Sequence, residues 1–355
     1  MASFQIDNDF VGDEYPTYFI AEIGSNFDGD LVRAKALIKL AKESGADAVK
    51  FQHYTASSLV SGKGFETVGQ QLSHQSNWKS SVFDTYENAS LNSDWTQALA
   101  EYSQLNEISF FTSPYSFALT DLVHKFVPAY KIGSGDITYH DLLHHIAKKE
   151  KPILLATGAS TLNEVDRAVN IITNVNKNIC VMQCNTNYEN SFSNFSSLNL
   201  NVIKSYKEKY PNAVIGLSDH TQGHLAVLAG VALGARVIEK HFTDDTEKEG
   251  PDHSFAMDSK AWQLMVKEVR ILEKALGDGN KKVESNEIKS RIVQRRGICL
   301  TMDLQKGHLI TGQELDYLRP LLADGFHPYE KNSLVGKRLT RSMVQGEMVL
   351  KNDIK

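Results

Sequence analysis

The chain has 355 residues, 41% of them hydrophobic and 23% charged, the composition of an ordinary soluble globular protein long enough for one large domain and a small one. A formal net charge of −5 argues against a general nucleic-acid binder, and no run of about 18 apolar residues offers a membrane span. Three cysteines (Cys180, Cys184, Cys299) fit neither a disulfide framework nor a zinc motif, and the acidic N-terminus lacks the order of a signal peptide, so a cytoplasmic setting is expected.

In chain order, a strand is predicted at YFIAEI (18–23), then a helix at 31–45, where Leu31, Ala34, Leu37, Ile38 and Ala41 recur at helical spacing. The strand AVKFQ (48–52) precedes a long polar insertion reaching about residue 92, and an insertion of that length is expected to be functional or mobile. Further strands are predicted at 109–114, 129–134, 152–158, 179–185, 213–220 and 236–242, with helical segments such as 161–175, 223–234 and 261–277 between and after them. Eight apolar strands alternating with helices predict a (β/α)8 TIM barrel over 1–277, rather than a doubly wound sheet, since no GxGxxG follows the first strand. Residues 278–293 are polar and charged and read as a linker. From 294 to 355, short strand-like runs separated by Gly and Asp turns predict a small, mostly β domain.

Polar side chains gather where the strands end: Glu22; Lys50 and Gln52; Thr112 and Ser113; Lys131 and Ser134; Thr157; Asn185; Ser218 and His220; Glu239 and His241. In a (β/α)8 enzyme that rim carries the active site. By alternation Lys50 shares a face with Gln52, Ser218 with His220, and Glu239 with His241, whereas Asp219 points the other way. Two imidazoles on neighbouring strands suit a divalent ion such as Mn, Co or Zn with open positions for substrate oxygens, or they are hydrogen-bonded barrel histidines without metal. Lys50 and Lys131 read as a cationic pair for a phosphate or carboxylate, or one of them as a Schiff-base nucleophile. His140, His144 and His145 read as surface residues, and Cys180 and Cys184 as core packing.

The segments FIAEIGSNFDGD, AKALIKLAKESGADAVKFQ, FFTSPYS, PAYKIGSGD, LLATGAS, GLSDHTQG and ARVIEKHFTDD…EGPDHSFAMD together resemble the sialic acid synthase (NeuB) family. The tail from RRGICLTMDLQKGHLI to VGKRLTRSMVQGEMVLKNDI is similar to that family's SAF (antifreeze-like, β-clip) domain. The resemblance implies condensation of phosphoenolpyruvate with an N-acylated hexosamine, such as N-acetylmannosamine, giving a nine-carbon 2-keto-3-deoxy acid and phosphate. It implies His220 and His241 as ligands of a divalent metal, Mn2+ with Mg2+ or Co2+ as alternatives. Phosphoenolpyruvate is then expected on Lys50, Gln52, Thr112, Lys131, Ser134 and Ser218, and the sugar on Thr186, Tyr188, Glu239 and Glu22, with Glu22 either contacting the sugar or assisting proton movement; Glu22, Lys50, Lys131, His220 and His241 are the expected catalytic set. Arg319 is expected to reach the N-acyl group from a partner's SAF domain, in a domain-swapped homodimer.

Three departures stand out: Phe27 where the family commonly has histidine, CNTNYEN (with Thr186 and Glu189) where many members read CTNxYP, and RPLLADG in place of RPGxG. All three are expected to touch the sugar side, so a diacetamido-trideoxyhexose leading to legionaminic or pseudaminic acid is the alternative acceptor. Rival readings are a synthase making a shorter acid from a sugar phosphate, a Schiff-base aldolase using Lys131, and a non-catalytic sugar-binding protein.

Overall fold

Eight apolar runs line up side by side because each can bury both faces: one inside a closed barrel, the other under helices. The computed structural model describes residues 2–188 and 191–355. A hairpin comes first, β1 (Ser3–Ile6) with β2 (Asp9–Gly12), turning at Asp7, whose φ is +48°. The barrel strands follow: β3 (Tyr18–Glu22), β4 (Ala48–His53), β5 (Ser109–Pro114), β6 (Tyr130–Ile132), β7 (Ile153–Ala156), β8 (Ile179–Cys184), β9 (Val214–Asp219) and β10 (Val237–His241). They pair in parallel in that order, and β10 closes on β3 with His241 opposite Glu22.

Some of the helices that follow the strands start on side-chain caps that satisfy orphan backbone N–H groups of the first turn. Asp30 caps Leu31–Glu43, Thr161 forms a capping box with Glu164 on Leu162–Thr173, and Asp258 caps Ser259–Leu276. Inside the barrel, space is tight: a Cβ on Gly216 would come within 2.8 Å of the Val237 carbonyl oxygen and 3.0 Å of Cys180 Sγ. Cys180 and Cys184 pack there as buried thiols.

The insertion between β4 and β5 is built of short helices, Ala56–Leu59, Gly62–Val68 and Val82–Ala89, joined by a 3₁₀ turn at Ser73–Asn77. Among the described residues no helix is long and apolar enough to cross a membrane.

The chain divides into two units, Met1–Gly277 and Asp278–Lys355. Where a linker was expected, Ile288–Gln294 is helical. In the second unit β11 (Gly297–Leu300) pairs antiparallel with β12 (Leu315–Leu318), and single bridges such as Cys299–Met348 and Leu304–Met343 supplement them. Its own core centres on Ile298, Leu300, Leu334, Leu339 and Val349.

Candidate active site

Strand alternation sorts the polar rim into two faces. Glu22 pairs in register with Lys50, Gln52 with Ser113, Cys184 with Ser218, and Ser218 with Glu239, so these side chains share the barrel interior. There they form one network. Lys50 Nζ lies 2.6 Å from Glu22 Oε2 and donates to Ser113 Oγ at 3.2 Å. Gln52 Nε2 donates to Glu22 Oε1 at 2.7 Å. Glu239 Oε1 accepts from Lys131 Nζ at 2.8 Å and from Ser218 Oγ at 3.2 Å, with Lys50 Nζ 3.8 Å away.

The two carboxylates are driven apart in acidity. Burial pushes Glu22 up to about 7, against the pull of Lys50, and the charge of Glu239 adds to the rise. Burial acts on Glu239 in the same sense, but Lys131 and Lys50 outweigh it and hold Glu239 down to about 2. Lys50 keeps its proton because those carboxylates outweigh its own desolvation. A protonatable acid beside a permanent anion is the division of labour that general acid catalysis needs.

Above this quartet, His220 and His241 face each other with ring centroids 5.5 Å apart. Burial, the largest cause for each, lowers them to about 3 and 4, so both imidazoles are neutral across the physiological range. His220 Nδ1 donates to the Asn185 carbonyl at 3.0 Å, which leaves the lone pair on Nε2. His241 Nδ1 is buried without a hydrogen-bond partner. Neutral rings with free lone pairs fit a divalent ion, and such an ion would draw its remaining ligands from water and substrate, since among the described residues no three His, Cys, Asp or Glu side chains cluster as a metal site.

The sites expected from the sequence divide as follows. Ser134 lines the cavity over the barrel, its Oγ accepting from Gly158 N–H at 2.9 Å. Thr186 lines it too, and Tyr188 packs its ring 4.3 Å from His220. Thr112 does not join them. It pairs with Tyr130 on the outer face, donates to the Phe51 carbonyl at 2.8 Å and bonds His53 Nδ1 at 2.8 Å, so Ser113 takes the inward place beside Lys50. Phe27 is also off the sugar side, buried against Phe51 and Trp95 at 6.3 and 6.4 Å. Arg319 follows β12 in the second unit, within the altered RPLLADG loop. Glu189 lies outside the described residues.

Residues missed by sequence reasoning surround the mouth. Asp252 accepts from Ser25 N at 2.9 Å and Ser25 Oγ at 2.8 Å, and its Oδ2 would be 2.5 Å from a Cβ on Gly24, which sits at φ +54°. Glycine at 24 is therefore demanded twice, by backbone conformation and by the close carboxylate. Tyr54, Tyr86, Tyr115 and Asp136 line the same cavity, whose volume is about 520 Å³. The phase of FFTSP relative to AVKFQ was enough to find Ser113. Asp252 and the aromatic residues arrive from the connections between strands and carry no local signal.

The sequence and the fold resemble those of known proteins. Residues 37–281 match the NeuB family model and residues 295–355 the SAF domain. The chain is 34% identical to the N,N'-diacetyllegionaminic acid synthase of Campylobacter jejuni, over 94% of this chain and 98% of that one. It is 33% identical to the pseudaminic acid synthase of the same species, over 95% and 96%. The N-acetylneuraminic acid (sialic acid) synthetase of Leptospira borgpetersenii superposes with a TM-score of 0.72 at 28% identity, covering 81% of this chain and 94% of its own. With the family model spanning most of the barrel and the rim arranged inside it, the chain belongs to the NeuB family.

Proposed function

We propose that the protein is a nonulosonic acid synthase that joins phosphoenolpyruvate to the open-chain form of an N-acylated amino sugar and releases phosphate. The inward network of Lys50, Lys131, Glu22 and Glu239 beside two neutral imidazoles carries this reading. Phosphoenolpyruvate brings a carboxylate and a phosphate. Lys50 and Lys131 meet them, with hydroxyls of Ser113, Ser134 and Ser218 as further donors. When the anion enters, Glu22 is the group that takes up a proton, because burial has already raised it to about 7. The site is then net positive, with two ammonium groups against the single anion of Glu239.

Bond formation follows from that charge pattern. C3 of phosphoenolpyruvate bonds to the aldehyde carbon, and Glu22 gives its proton to the aldehyde oxygen. Positive charge develops at C2, facing the ionised Glu239. Water adds at C2, and phosphate leaves by C–O cleavage, so one water is consumed for each phosphate released. A divalent ion held by His220 and His241, Mn2+ with Mg2+ or Co2+ as alternatives, would polarise the aldehyde oxygen. Arg319 is assigned to the N-acyl group of the sugar in the partner of a homodimer, on the family resemblance.

The test is phosphate release from phosphoenolpyruvate with candidate amino sugars, followed by mass analysis of the product. A nine-carbon keto acid is expected, formed in step with phosphate. Borohydride trapping of pyruvate on Lys131 would overturn the reading in favour of a Schiff-base aldolase.

A further inference from the structure

The insertion between β4 and β5 is the largest structured departure from a plain barrel, and its rings converge on the cavity mouth. Tyr54, just after β4, packs 5.5 Å from Tyr86 and 5.9 Å from Tyr115. Tyr86, on the helix Val82–Ala89, packs 5.9 Å from Trp78. The series continues through His74, 5.4 Å from Trp78 and 4.8 Å from Tyr188, and ends at Tyr188 against His220. One side of the cavity is thus a continuous aromatic wall running from the insertion to the histidine pair.

The charges in the same cavity have a single sign. Asp136 and Asp252 line it, and among the described residues no lysine or arginine does. Lys50 and Lys131 lie inside the barrel, on Glu22 and Glu239. Burial also keeps the phenols of Tyr54, Tyr86 and Tyr115 protonated by raising them above their ordinary value, so the wall supplies neutral donors and apolar ring faces. Ring faces pack well against methyl and C–H surfaces, while a phosphate dianion placed against the wall would meet the carboxylates of Asp136 and Asp252 with no lysine or arginine of the described lining to offset them.

We infer that the 53–92 insertion selects the acceptor, with Trp78 and Tyr86 packing on the acyl and deoxy faces of an uncharged amino sugar and the wall rejecting a sugar phosphate. This rests on the synthase reading above and deepens it by naming the acceptor class. Trp78 and Tyr86 act in binding the acceptor; the phosphoenolpyruvate subsite is left to the barrel interior.

The full chain is assayed with phosphoenolpyruvate and three acceptors: N-acetylmannosamine, its 6-phosphate, and a 2,4-diacetamido-2,4,6-trideoxyhexose. The better uncharged sugar is expected to exceed the 6-phosphate by at least about 100-fold in kcat/KM, roughly what one unmatched charge contact costs. Trp78→Ala and Tyr86→Ala are expected to raise KM for the sugar about tenfold or more and to leave KM for phosphoenolpyruvate within about twofold. A 6-phosphate that turns over best overturns the inference and leaves the synthase reading standing. So does an equal rise of both KM values in the variants. The wild-type panel decides the charge question even if a variant fails to fold. Failure of every acceptor to give a nine-carbon acid overturns the inference and the synthase reading together.

Discussion

The inner and outer faces of the strand ends are both rich in buried polar groups, yet only one of them is a site. On the outer face, Lys240 Nζ contacts Asp219 Oδ2 at 2.7 Å with both side chains fully buried, and it also donates to the Thr221 carbonyl. His53 is spanned by Thr112 and Thr96 at 2.8 Å each, and Tyr206 donates to Thr157 at 3.0 Å. These groups answer one another. On the inner face, His241 Nδ1 and Glu239 Oε2 are buried without partners, and His241 lines a cavity. Charge and burial therefore do not distinguish the faces; unspent hydrogen-bonding capacity beside open space does.

Substitutions on the two faces should separate stability from activity. The largest effect is expected from Lys240→Met, which strands Asp219 in the wall and should cost about 3–5 kcal/mol in denaturant unfolding, while Asp219→Leu combined with Lys240→Met recovers most of it. Lys131→Met, on the inner face, should instead lower kcat/KM by about 10²–10³-fold with a smaller loss of stability. If it unfolds the protein as readily as Lys240→Met does, the two faces are not different in kind. His53→Ala should cost about 1–3 kcal/mol of stability, because the hydroxyls of Thr96 and Thr112 lose their shared partner, with KM unchanged for both substrates.

The smallest effect on stability sharpens the contrast inside the site. In the proposed reaction Glu22 acts in its protonated form, so kcat/KM should fall about tenfold per pH unit above roughly 7, and Glu22→Gln should remove that limb along with most activity. The same raised pKa makes the folded chain hold a proton that the unfolded chain has released. The stabilising share from Glu22 is thus complete below about 4.5 and lost as pH rises towards about 7. A profile limited on the acid side near 6.5 would instead implicate histidine, which burial of His220 and His241 argues against.

Much of this was legible in the residues. Each barrel strand falls inside the stretch expected for it, or within a residue of it, because strands buried on both faces are apolar runs bounded by turns. The inward set was legible wherever alternation was followed, as for Lys50 with Gln52 and Ser218 with His220, and it failed at Thr112, where the phase against β4 was not carried across. The β1–β2 hairpin escaped because four-residue strands give too short a pattern. The aromatic wall escaped for a different reason. Tyr54, Trp78, Tyr86, Tyr115 and Tyr188 are brought together by three separate connections, and no spacing along the chain encodes that meeting. Phe27 shows the converse: a departure from the family pattern in sequence, but in space a core residue.

The wall also equips the protein with its own optical reporter. The chain has three tryptophans; Trp262 is wholly enclosed by the core and Trp95 packs on Phe27, which leaves Trp78 as the indole at the cavity. A sugar settling on that ring would displace water from it and change its emission, so acceptor occupancy should be readable by fluorescence in unlabelled protein, separately from turnover.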